Sequence, residues 1–159
     1  MWYALQINRN AESKAARLLD WLAGKDIISD WFSPKAEVMM KLKGVWQVKE
    51  NTLFPGYVLV ETDDIGSLVL ALNKTSVETN LLEEPLSTTE SKYFDEYRLF
   101  NISRGVIKDG EVIIEAGPLK GHSDWIKKIN RHKRLAYLSI DAFGQTINTK
   151  AGLEITEKI

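Results

Sequence analysis

Thr52-Leu53-Phe54-Pro55-Gly56-Tyr57-Val58-Leu59-Val60-Glu61 joins an aromatic-Pro-Gly-aromatic turn to an apolar strand. Pro55 fixes φ and Gly56 permits a sharp change of direction, so Phe54 and Tyr57 flank a tight bend. Either the two rings pack into a core as the strand enters its sheet, or they stand out as a recognition surface. Working outward, residues 2–8 read as a first strand, rich in aromatic and β-branched side chains. Ala15, Leu18, Leu19 and Leu22 recur at helical spacing, with Asn10 or Ser13 as cap and Gly24 as stop. Residues 27–32 lead into a second strand, and 37–42 and 45–49 flank Lys43-Gly44 as a hairpin with a basic tip.

Beyond the bend, Asp63 or Asp64 caps a helix through Ile65, Leu68, Val69 and Leu72. Leu86-Ser87-Thr88-Thr89-Glu90 feeds another capped helix that runs to about residue 99. The order β-α-β-β-β-α-(β)-α predicts an α+β sandwich, an antiparallel sheet with helices packed on it. After Phe100 the pattern changes. Residues 101–105 read as a short connector, followed by brief alternating segments at 111–115, 123–129, 135–140, 146–149 and 153–156. Five short strands in so few residues predict a small β-barrel. The expected organisation is therefore a domain at 1–99, a linker at 100–108 and a barrel at 109–159.

The 159 residues are 44% hydrophobic and 27% charged, ordinary for a soluble globular protein. The chain has no cysteine, which excludes disulfides and thiolate chemistry and fits a cytoplasmic protein. No basic leader with a long apolar run opens the sequence, and no apolar stretch is long enough for a bilayer, so no membrane partner is expected. Net charge divides unevenly. Residues 1–100 hold 11 Lys and Arg against 15 Asp and Glu, whereas 101–159 hold 10 against 7.

The positive charge of the second part is concentrated. Gly117-Pro118-Leu119-Lys120-Gly121 is a tight loop that displays Lys120, with His122 just after it. Lys127, Lys128, Arg131, Lys133 and Arg134 follow within eight positions, and Asn130 and His132 lie among them in a turn. Together they predict a basic rim at one end of the barrel, with Tyr137 nearby. Cations there neutralise phosphates and planar rings stack on unpaired bases. Trp125 falls within a predicted strand and reads as core rather than platform. Catalysis finds no support: Asp63-Asp64 and Glu83-Glu84 read as a cap and a solvated turn. His122 and His132 lack acidic partners at metal-ligand spacing, and no phosphate-cradling or nucleophile motif is present. No catalytic residue, metal or cofactor is expected.

Trp2-Tyr3 in the first strand and Leu53-Phe54-Pro55-Gly56-Tyr57-Val58 resemble the N-terminal (NGN) domain of NusG-type transcription elongation factors. The Gly-Pro-Leu-Lys-Gly loop and Phe143-Gly144 resemble a KOW domain, an SH3-like β-barrel. The resemblance covers essentially the whole chain. The basic hairpin at 129–134 looks most like the specialised antiterminator branch called LoaP. The resemblance implies that Trp2, Tyr3, Phe54, Pro55 and Tyr57 grip the clamp helices of the largest RNA polymerase subunit. Thr75 and Ser76 would face the opposite jaw of the polymerase cleft. It further implies a monomer whose barrel binds a nascent RNA hairpin, with non-template DNA as a further partner. The alternative within the family is a general elongation factor whose barrel binds Rho or a ribosomal protein. His122-Ser123-Asp124 and Gln145 depart from the family pattern at positions tied to those protein contacts.

Overall fold

Along the chain run β1 (Trp2–Ile7), α1 (Glu12–Gly24), β2 (Asp30–Phe32), β3 (Lys35–Leu42), β4 (Val45–Thr52) and β5 (Tyr57–Glu61). Then come α2 (Ile65–Asn73), β6 (Thr79–Leu82), α3 (Thr88–Glu96), β7 (Leu99–Phe100) and β8 (Ser103–Lys108). The last four strands are β9 (Glu111–Ala116), β10 (Ile126–Asn130), β11 (Leu135–Ala142) and β12 (Gln145–Lys158). This computed structural model describes residues 1–159, which divide into two units. Unit one combines Met1–Ser33 with Phe54–Glu96, and unit two combines Pro34–Leu53 with Tyr97–Ile159.

Unit one is built on a four-stranded sheet in the order β2-β5-β1-β6, antiparallel at every pairing. Strand alternation sorts its side chains. Tyr3 and Leu5 lie opposite Val60 and Val58, and these four face a core with Leu19 and Leu22 of α1 and Leu68 and Leu72 of α2. Both helices form where the sequence places their apolar stripes, but their ends differ in detail from expectation. Asn8, not Asn10 or Ser13, accepts the capping hydrogen bond, from Asn10 N–H at 2.9 Å, and a single 3-10 turn precedes α1. Asp26, not Gly24, takes the left-handed conformation beyond the helix, at φ 58°. Its N–H donates to the Ala23 carbonyl while Ile27 N–H reaches Leu22, a Schellman ending that a short polar residue tolerates. Asp64 caps α2 by accepting from Ser67 N–H at 3.0 Å and Ser67 Oγ at 2.6 Å. Those bonds hold its carboxyl below the usual range. At α3 the expected capping box is complete: Ser87 Oγ accepts from Glu90 N–H, and Glu90 Oε1 accepts from Ser87 N–H. The helix stops at Glu96, three residues short of the expected end.

Unit two carries a five-stranded sheet in the order β10-β11-β12-β8-β9 and a three-stranded sheet β4-β3-β7. Residues 103–108, expected within the linker, are instead strand β8, paired parallel with β12 and antiparallel with β9. The two strands expected at 146–149 and 153–156 are one long strand, β12, which pairs with β11 through its first part and with β8 through its last. Three two-residue hairpins turn on paired positive φ angles: Lys43-Gly44, Asp109-Gly110 and Phe143-Gly144. That is the turn whose twist matches the flanking strands.

The β3–β4 hairpin belongs to unit two because β3 lies directly on β12. A Cβ at Gly152 would sit 2.7 Å from the Glu37 carbonyl and 2.7 Å from Ile102 Cγ1, so only glycine allows this approach. Asn101 Nδ2 donates to Glu37 Oε1 at 3.3 Å, and Thr149 Oγ1 donates to the Leu53 carbonyl.

Candidate nucleic-acid interface

The basic turn is shaped by its own backbone. Asn130 Oδ1 accepts from Lys133 N–H at 3.0 Å, and Arg134 closes the turn at φ 53°, its N–H bonded to the Arg131 carbonyl. Asn130 therefore spends its acceptor on local structure. Leu153 N–H donates to the Arg134 carbonyl at 3.0 Å, fastening the turn to β12. Lys127, Lys128, Arg131, His132 and Lys133 are exposed, and Arg134 is half-buried.

The half-burial of Arg134 has a cause that lies in the β3–β4 hairpin. Trp46 receives the Arg134 guanidinium at 5.3 Å from its ring centroid and Lys41 Nζ at 5.9 Å. His132 meets the same ring edge to face at 6.4 Å. A groove of about 420 Å3 opens here, with Trp46, Tyr137, Lys41, Lys49, Lys133 and Lys150 among its lining residues. No carboxylate lines it. The sequence reading missed Trp46, Lys49 and Lys150. Lys41 and Lys49 belonged to the hairpin expected at 37–49, but nothing in the order of residues announced that it would return to the basic turn. The glycine at 152 was the one available signal.

Lys120 and His122 lie on a different loop. Gly117 at φ 101° brings the chain so close to Ser103 that a Cβ would sit 2.6 Å from its Cα. Ser103 Oγ accepts from Leu119 N–H at 3.1 Å, Pro118 and Leu119 are buried, and Lys120 is left exposed. Trp125, expected inside a strand, ends a 3-10 turn (Ser123–Trp125) before β10 begins. It is half-buried, stacked on His122 at 4.0 Å and 18°, and parallel to Phe100 at 6.5 Å. Burial lowers the His122 pKa, with Asp124 pulling weakly the other way.

The expected polymerase-contact residues occupy different places in unit one. Trp2 and Tyr3 are sequence neighbours in β1, so they point to opposite faces of the sheet. Tyr3 lies in the helix-packed core, whereas Trp2 meets Phe32 edge to face at 5.2 Å. Phe54 has no exposed surface and packs edge to face on Phe94 at 5.2 Å. Tyr57 is buried, and its hydroxyl accepts from Gln6 Nε2 at 3.1 Å; Gln6 Oε1 in turn accepts from Asn80 Nδ2 at 3.0 Å. Pro55 is half-buried at the rim of a groove lined also by Gln6, Arg9 and Asn80. Thr75 and Ser76 sit in the turn after α2, where Thr75 Oγ1 accepts from Val77 N–H and Ser76 is exposed. Trp2, Tyr3, Phe54 and Tyr57 are thus all buried, and the bend feeds a strand that is itself buried on both faces.

No helix is long and apolar enough to cross a membrane. The family model described as "Transcription termination factor nusG" matches residues 1–95. The transcription termination/antitermination protein NusG of Neisseria meningitidis serogroup B is 24% identical over 177 residues, covering 99% of this chain and 97% of that protein. Its counterpart of the same description from Haemophilus influenzae is 24% identical over 182 residues, covering 99% of this chain and 94% of its own. With more than half of its length matched by the family model, the chain belongs to the NusG family.

Proposed function

We propose that this protein is a non-enzymatic transcription factor that binds RNA polymerase and promotes processive antitermination. Unit two, with a KOW-type barrel, binds a hairpin in the nascent RNA. The observation that carries the reading is the separation of charge between the units. Unit one holds 6 Lys and Arg against 13 Asp and Glu, and unit two 15 against 9. Net charges of −7 and +6 make unit two the half suited to a polyanion. Within it, Lys127, Lys128, Arg131, Lys133 and Arg134 supply phosphate contacts, with exposed Lys120 on the separate 117–121 loop.

Polymerase would meet unit one at Pro55 and at the Thr75-Ser76 turn, the parts of the expected set that remain at the surface. Phe54 and Tyr57 anchor the bend that carries Pro55 from within. Tethering to polymerase lets a weak RNA contact suffice, because linked sites gain effective concentration. Relief of termination in vitro, on templates with and without the leader of the regulated operon, tests the reading. Relief that depends on the leader supports it. Equal relief on both templates would leave a general elongation factor, the second family reading.

A further inference from the structure

We propose that the groove between the β3–β4 hairpin and the 131–134 turn binds one unpaired nucleotide of an RNA hairpin, its base stacked on the Trp46 indole. The inference rests on the RNA-binding reading of unit two and adds a defined site to it. Trp46 stands opposite Lys41 in the hairpin register and beneath the Arg134 guanidinium, so its π face is already occupied by cations. A nucleobase buries a larger planar face on the indole than either the Lys41 ammonium or the smaller Arg134 guanidinium, and so displaces them. The displaced cations then meet the phosphates on either side of that base. Val38, Met40 and Leu135 give the groove an apolar wall, and Lys49, Lys133 and Lys150 give it a charged rim. Its volume of about 420 Å3 lies within the range of small-ligand sites. A regular helix presents no such base, so the site selects a bulge or loop nucleotide. An acidic peptide would satisfy the lysines but leave Trp46 and Tyr137 without a planar partner.

The test uses the full chain and two RNA hairpins that differ only by a single bulged 2-aminopurine. The bulged hairpin is expected to bind about tenfold tighter, with its 2-aminopurine fluorescence quenched by stacking on the indole. Trp46→Ala should remove both the quenching and the preference while leaving the unbulged hairpin bound, and Trp46→Phe should keep part of each. Circular dichroism of both variants separates this result from loss of the hairpin fold. Quenching and preference that survive Trp46→Ala overturn the site. So does equal, salt-dependent binding of the two hairpins by the unaltered protein, which leaves the RNA reading standing. Binding of neither hairpin overturns both. Displacement of RNA by polyglutamate, together with indifference to the bulge, would assign the groove to an acidic protein segment.

Discussion

Unit one buries Trp2, Tyr3, Phe54, Tyr57 and Phe94 and exposes Trp21, whereas unit two leaves Trp46 half-buried and Tyr137 exposed among cations. Phe54 and Trp2 make edge-to-face pairs with other rings inside unit one, at 5.2 Å in both cases. Trp46 and Tyr137 in unit two border a groove whose ionic groups are all basic. The same residue types thus stand in different surroundings, packed on other rings in one case and beside cations in the other. Aromatic side chains packed in an acidic, helix-covered sheet stabilise a fold; among lysines and arginines, on the proposed RNA reading, they would offer a face for a base to stack on.

The most severe way to break this contrast is Phe54→Ala. A fully buried phenylalanine truncated in a packed core should cost about 3–5 kcal/mol, read as a drop in the denaturant midpoint. If Phe54 were a docking ring instead, polymerase binding would fall with the midpoint unchanged. Next in size is the triple substitution of Arg131, Lys133 and Arg134 by alanine. With about four to six phosphates contacted by the unaltered protein, log K should fall with log[salt] at a slope of roughly −3 to −5. Loss of three contacts should flatten that slope by roughly 2–3 and weaken RNA binding roughly hundredfold at physiological salt. Polymerase binding should stay intact, and an unchanged slope would remove these residues from the interface.

Much of unit one was legible in the chain. Its helices follow apolar spacing, and Asp64 and Ser87 cap where such residues should; in unit two, Lys43-Gly44 turns a hairpin as its composition demands. The errors arise where long-range packing overrides local pattern. The stretch 103–108 has little to distinguish it from a connector until β12 and β9 pair on either side of it. Trp2-Tyr3 reads as one aromatic feature, yet strand geometry separates the two rings across the sheet. The basic turn was visible as a charge run, whereas Trp46 was not visible as its partner, because more than eighty residues of chain intervene. Charge also became clearer with the fold: moving the β3–β4 hairpin into unit two carries four lysines with it.

Gly152→Ala tests that move directly. The added methyl would press on the Glu37 carbonyl and Ile102, at a cost of about 1–3 kcal/mol, and would shift the hairpin away from β12. Thermal melting should show the loss, and the Trp46-dependent part of RNA binding should fall further than stability alone requires. A variant as stable as the parent, with RNA binding unaltered, would mean the hairpin finds its place by other contacts.

The smallest effect sharpens the contrast within unit two itself. His122 stacks on Trp125 as Arg134 covers Trp46, but burial disfavours its charged form and lowers its pKa from the ordinary histidine value of about 6.5. The unfolded chain therefore binds more protons than the folded one as pH falls past that ordinary value. The contribution to stability is complete above about pH 6.5 and is lost as pH drops through the folded pKa. At neutral pH His122 is an uncharged ring, so the phosphate-binding role expected of it from sequence reduces to shape and hydrogen bonding. An NMR titration should place its midpoint below 6.5, and His122→Ala should leave the salt slope of RNA binding as it was. A midpoint above 6.5, or a slope flattened by about one, would return His122 to the cationic set.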